Sequence, residues 1–235
     1  LMFKIKDYQL LHDLFTPQMR LSNARFSGAF NDEKQLFHMN FKADTVTFGD
    51  QKVHRLKLYA HNKEDRFNAI LNSSFVGVKD TIGLKHLKIE THSKNNLTNY
   101  DVEWNNSKIV DNHGKIDGVI AIDRIDSIWT HVNTFDLVVE DNLWEIDTLN
   151  SLVFSPSGVF FDHFELYSDQ EMLNVSGLFS KKEESSLKVK AKHFQLANLE
   201  RLMDRYNTKL TGALSGEFDL LGEIEYPIVK SDLNI

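Results

Sequence analysis

Ten histidines and a dense set of carboxylates are the side chains of this chain able to hold a metal or move a proton. No two histidines are four residues apart, the spacing that sets two ligands on one helical face, and none sits in a cluster of other ligands. They read as solvated strand positions beside turns. The run Asp111-Asn112-His113-Gly114-Lys115-Ile116-Asp117-Gly118 superficially resembles a calcium loop, but it lacks the alternating oxygen ligands and the distal bidentate Glu, so a turn is expected. Asp123, Asp126, Asp136 and Asp141 would need a shared pocket to act as an acid–base pair. They read instead as outer-face charges that blunt sheet edges. The absence of cysteine excludes thiol catalysis, thiolate zinc sites and disulfides together. No nucleophile elbow, phosphate-cradling Walker loop or dinucleotide fingerprint occurs. No catalytic residue, metal site or cofactor is expected, and the chain reads as a non-enzyme.

Charge and composition narrow the partners. A net charge of −7 with 26% charged residues argues against a protein that tracks nucleic-acid phosphates and leaves no polybasic patch for a membrane surface. Lys181-Lys182 is read as the cap of a strand turn. No apolar run approaches the roughly 20 residues a spanning helix needs, and Leu1-Met2-Phe3-Lys4 does not begin a signal sequence. Patterned segments reach both ends, so the chain reads as a piece of a longer protein whose targeting elements lie elsewhere. Only three prolines and no Gly/Ser linker interrupt it, which favours one continuous architecture over 1–235.

The dominant signal is alternation. Phe37, Met39, Phe41 and Ala43 oppose His38, Asn40 and Lys42, and Leu56, Leu58 and Ala60 oppose Arg55, Lys57 and Tyr59. The same period of two runs through Phe67–Ser73, Leu87–Ile89, Tyr100–Trp104, Ile116–Ile122, Phe135–Val139, Trp144–Ile146, Val159–Phe161, Phe164–Leu166 and Leu173–Phe179. Turn residues punctuate these runs at Gly49-Asp50, Asn62, Asn95-Asn96, Asn105-Asn106, Asp111–Gly114, Asp141-Asn142 and Pro156–Gly158. About fourteen antiparallel strands follow, each wet on one side. Only Leu196–Tyr206, and with it Tyr8–Leu14, has helical spacing.

These two helical stretches each precede a strand with similar residues, Ala24–Phe30 and Leu214–Ile224, at a spacing of about 187 residues. The approximate repeat units are therefore 1–190 and a truncated 191–235. A second echo sets Leu56–Ala60 and Phe67–Ala69 against Phe164–Ser168 and Leu173–Val175, offset by about 107 residues. A sandwich or closed barrel could cover the apolar faces, but uniform repeating strands with Phe, Leu, Ile and Val inside point to an elongated antiparallel β-groove, a curled trough carrying one or two short helices.

The stretch Phe194-Gln195-Leu196, Leu199, Leu202, then Leu210-Thr211-Gly212-Ala213-Leu214-Ser215-Gly216-Glu217-Phe218, Gly222-Glu223-Ile224, Pro227 and Leu233-Asn234-Ile235 resembles the recurring unit of the TamB translocation and assembly module family, within the AsmA-like group of repeating β-groove proteins. Residues 143–235 are similar to its Bacteroidetes versions, and Pro17 departs from the unit in the N-terminal copy. The resemblance implies a periplasmic protein anchored in the inner membrane, an elongated β-taco with a hydrophobic groove for phospholipid acyl chains passing between the membranes, or for assembly of outer-membrane proteins with an Omp85-type barrel partner. It implies no catalytic residues.

The groove is expected to be lined by Phe154, Phe161, Leu173, Val175, Phe179, Leu214, Phe218, Leu220 and Ile224. The apolar stripe Leu196, Leu199, Leu202, Met203 and Tyr206 would pack across its mouth, or gate it. Cut strand edges would favour edge-to-edge self-association of the fragment. Asp44-Thr45-Val46, Asp80-Thr81-Ile82, Asp126-Ser127-Ile128 and Asp147-Thr148-Leu149 resemble a short Bacteroidetes O-glycosylation acceptor and equally fit ordinary turns. Two other readings compete with a conduit. One is a structural or adhesive β-solenoid with a packed core, separated from it by co-purifying lipid. The other is a carbohydrate-binding β-sandwich, which would show exposed aromatics and paired carboxylates along a cleft.

Overall fold

The computed structural model describes residues 2–4, 19–78, 82–106, 112–123, 127–139, 142–180, 185–196, 211–222 and 228–234. Over these residues the chain is all-β and antiparallel, as the alternation predicts. It divides into two compact units, Leu1–Asp117 and Gly118–Ile235.

The first unit contains β1 (Met2–Lys4), β2 (Met19–Ser22), β3 (Arg25–Asn31), β4 (Leu36–Phe48), β5 (Gln51–Lys63), β6 (Arg66–Val78), β7 (Ile82–Lys94) and β8 (Leu97–Asn105), and the unit boundary falls within β9 (Asn112–Asp123). Strands β4 to β7 are 13 residues long and pair in sequence order. Because cross-strand partners share a face, Phe41, Leu58, Leu71, Ile89 and Val102 form one apolar row. The adjacent row on the other face reads Lys42, Lys57, Asn72, Lys88 and Glu103. Two-residue links close the hairpins at Gly49-Asp50 and Asn95-Asn96, where φ is 58° at Gly49 and 50° and 64° at the two asparagines. Glycine and asparagine are the residues that tolerate this left-handed geometry, which matches strand twist.

Several turns fall elsewhere than the sequence suggests. Asn62 lies inside β5, where its side chain accepts from Phe37 N and donates to Gln35 O, and the turn moves to Glu64-Asp65. The calcium-loop-like run is likewise strand from Asn112 onward. There the Trp104 ring lies where a Cβ on Gly114 would stand, and Trp104 Nε1 donates to Asn112 Oδ1 at 3.2 Å. An aromatic ring covering a strand glycine replaces the missing side chain, so the segment gains more as a strand than as a turn.

The second unit contains β10 (Ser127–Val139), β11 (Asn142–Ile146), β12 (Ser151–Phe154), β13 (Gly158–Ser168), β14 (Glu171–Ser180), β15 (Ser185–Gln195), β16 (Ala213–Gly222) and β17 (Ile228–Asn234). From β13 to β17 each strand pairs antiparallel with the next, while β11 and β12 both bridge β10 to β13. No helix occurs among the described residues. The stretch Tyr8–Leu14 lies outside them, and of Leu196–Tyr206 only Leu196 is described, in a turn where its N–H donates to Gly212 O at 3.0 Å. Phe194 and Gln195, which the sequence groups with that helix-like stretch, belong to β15.

Candidate apolar groove

Eight of the nine residues expected to line a groove lie on one face of the second unit. Antiparallel register sets Phe154, Val159 and Phe179 in one row, and Phe161, Gly177, Leu187 and Leu220 in the next. Phe164, Val175, Val189 and Phe218 follow, then Leu166, Leu173, Ala191 and Gly216, then Phe194 and Leu214. Ile224, the ninth, lies outside the described residues.

Two bulges keep this face continuous. Asp162 and His163 stand opposite Ser176, and Lys192 and His193 stand opposite Ser215. Both histidines take left-handed backbone, with φ 48°. His193 N–H is satisfied by Ser215 Oγ at 2.9 Å. An extra residue in one strand reverses its alternation, so the apolar positions pass from Phe161 to Phe164 and from Ala191 to Phe194 without changing face. Without the bulges, Phe164, Leu166 and Phe194 would turn into solvent. The signal is visible in the sequence as a change of parity in the apolar positions.

The face is closed at one end and open further along. Trp144 and Phe194 are 7% and 8% exposed and form a cluster with Ala191, against which Phe135, Leu137, Leu166, Leu173 and Leu214 pack. Trp144 and Phe194 are missing from the sequence-based lining, although they close it. Beyond them Phe161, Leu173, Val175, Phe179, Leu214, Phe218 and Leu220 are half-buried, and Phe154 is 43% exposed. A surface of this kind offers non-directional apolar contact with no buried polar group to satisfy.

The opposite face is polar across its middle rows and carries one apolar row, Val153, Phe160, Leu178, Leu221 and Ile228, beside them. Lys190 Nζ meets Glu217 Oε1 at 2.7 Å across β15 and β16, and Asn174 Nδ2 donates to Glu165 Oε2 at 3.0 Å. The hydrogen bond from Lys190 holds the Glu217 carboxyl below its ordinary range. Loss of hydration, helped by Glu145, Asp147 and Glu165, pushes the Tyr167 phenol up.

Most of the remaining sequence-predicted positions lie outside the described residues: Leu199, Leu202, Met203 and Tyr206 of the gating stretch, and Asp126, Asp141 and Lys181-Lys182. Asp136 is exposed on β10. Asp147-Thr148-Leu149 forms a turn in which Asp147 Oδ1 accepts from Leu149 N at 2.7 Å, whereas Asp44-Thr45-Val46 lies within β4. Among the described residues, no group of three histidine, aspartate or glutamate side chains converges as metal ligands. Comparison with protein families, with curated proteins and with solved structures gives no match.

Proposed function

We propose that this chain is a non-enzymatic segment of a periplasm-spanning protein of the TamB and AsmA-like kind, carrying phospholipid acyl chains along the apolar face of its second unit. The observation that carries the reading is the row structure from Phe154 to Leu214. A continuous apolar face crosses five strands, and much of it stays half-exposed instead of being sealed by its own side chains. A packed scaffold would gain by covering such a face. In the full-length protein an inner-membrane anchor and an Omp85-type barrel would complete the path, and assembly of outer-membrane proteins would use the same face. Edge-to-edge association of the fragment is part of the same proposal.

Lipid extraction followed by mass spectrometry of the natively purified chain tests it, together with Val175→Glu. Val175 lies between Phe164 and Val189, so a carboxylate there would obstruct an acyl chain. Co-purifying phospholipid that is lost in Val175→Glu and retained in the outer-face Glu217→Lys is the expected result, with the circular dichroism of the parent kept in both. A lipid-free parent, or equal lipid in the two variants, would favour the scaffold. Unfolding of Val175→Glu would show a sealed core.

A further inference from the structure

The first unit carries a second feature, independent of the groove. Along one transverse row the ladder is interrupted, at Asp44 and Arg55, at Arg55–Leu56 and Ser73–Ser74, and at Ser74 and His86, and it resumes beyond with its register unchanged. Arg55 and His86, on the two strands flanking β6, take left-handed backbone with φ 51° and 52°. Residues with a Cβ disfavour this geometry, and it persists only where neighbours determine it. Ser73 Oγ donates to His54 O at 2.8 Å, Ser74 Oγ donates to His54 O at 3.1 Å, and Asn106 clamps β7 by accepting from Lys85 N and donating to Gly83 O.

The interruption opens a cleft of about 840 Å³ whose wall includes Asp44, Arg55, Ser74, Lys85, His86 and Asn105. A smaller recess of about 350 Å³ shares Arg55, Ser74 and His86 and adds Lys57. Elsewhere on this unit three lysines are matched by carboxylates: Lys88 pairs with Glu90 at 3.0 Å, Lys94 with Asp65 at 2.7 Å, and Lys115 lies 3.6 Å from both Asp101 and Glu103. In the cleft an arginine, a lysine and a histidine meet one carboxylate. Arg55, Lys85 and His86 are exposed and form no ion pair among the described residues, and Asp44, the carboxylate of the lining, accepts from Asn23 Nδ2 at 2.7 Å. On a chain of net charge −7, a wall that sets Arg55, Lys85 and His86 around one carboxylate is locally basic.

We propose that this cleft binds a phosphate group. Arg55 and His86 share one transverse row two strand spacings apart, roughly 10 Å, so their side chains can approach one anion from both sides of β6, and Lys85 lines the same cleft. A carboxylate is satisfied by one guanidinium fork, whereas a phosphate presents oxygens to several donors at once. The volume exceeds that of a bare ion, which fits a phosphate ester: a phosphorylated small molecule or a lipid headgroup.

Titration of the ¹⁵N-labelled chain with inorganic phosphate and then glycerol 3-phosphate, at constant ionic strength against chloride, tests the site. Vesicle flotation on phosphatidylglycerol and on phosphatidylcholine distinguishes the two sources. Saturable shifts at Ser74, Lys85 and His86 are expected, weakened roughly tenfold by Lys85→Gln and by Arg55→Asn, asparagine being chosen because it tolerates left-handed backbone. If Arg55→Asn fails to fold, Lys85→Gln decides. Saturation by glycerol 3-phosphate without vesicle binding assigns a soluble ester. Phosphatidylglycerol binding that Lys85→Gln abolishes assigns a headgroup. Either result upholds the site. A response equal to that of chloride overturns it, as does the absence of both saturable shifts and variant-sensitive vesicle binding.

Discussion

The rings of Trp144 and Phe194 meet with centroids 5.9 Å apart and planes tilted by 59°, although β13 and β14 lie between their strands. Three strand spacings on a flat sheet would hold two upright side chains about 14 Å apart. The contact therefore requires the sheet of the second unit to curl toward its apolar face, and the aromatic pair is what that curl buries.

Truncating either ring should leave a cavity that the curled sheet cannot fill. Trp144→Ala and Phe194→Ala are each expected to cost about 3–5 kcal/mol in urea denaturation. Together they should lose less than the sum, with a coupling of about 0.5–1.5 kcal/mol. Strictly additive losses would mean that the two rings are buried independently.

Asn150 anchors the turn between β11 and β12 to β10. Fully buried, it accepts from Val132 N at 2.9 Å and donates to Val132 O at 2.7 Å and Asp147 O at 2.6 Å, so its side chain stands in for a strand backbone. Asn150→Ala should destabilise by about 2–4 kcal/mol, because the partners stay buried and unsatisfied. Faster hydrogen exchange at the Val132 amide is the specific readout. An unchanged exchange rate would remove Asn150 from this role.

Acid should weaken the polar rows of the outer face through Glu217. Its folded carboxyl is depressed below the ordinary 4.5 by Lys190, so its contribution is fully present above that value and is lost as the pH falls through the folded one. The pair is exposed, and the effect on stability should be small and reduced by salt. Following the Glu217 carboxyl by NMR in Lys190→Gln should show its titration moving back up, with Lys188, at 3.9 Å, holding the remainder. Identical titration in the parent and the variant would assign the depression to something else.

Much of this protein was legible along the chain, and the boundary is physical. Alternation is a local property, fixed by where successive Cβ atoms point, so Leu173, Val175 and Phe179, or Phe218 and Leu220, declare a shared face without knowledge of their partners. The two-residue turns at Gly49-Asp50 and Asn95-Asn96 are equally local. Register, curl and closure are not. Asn62 and the run from Asn112 have turn-forming residues, yet tertiary partners draw both into strands: Asn62 through Gln35 and Phe37, and Gly114 through the ring of Trp104. Phe194 joins the apolar face because His193 bulges opposite Ser215, and Trp144 reaches it because the sheet between them bends. The charged cleft comes from cross-strand neighbours, since Arg55, Ser74 and His86 are far apart in sequence and adjacent only once three strands are in register. A single sequence states which face each residue prefers, while the partners that bend, interrupt and close that face are set by long-range pairing.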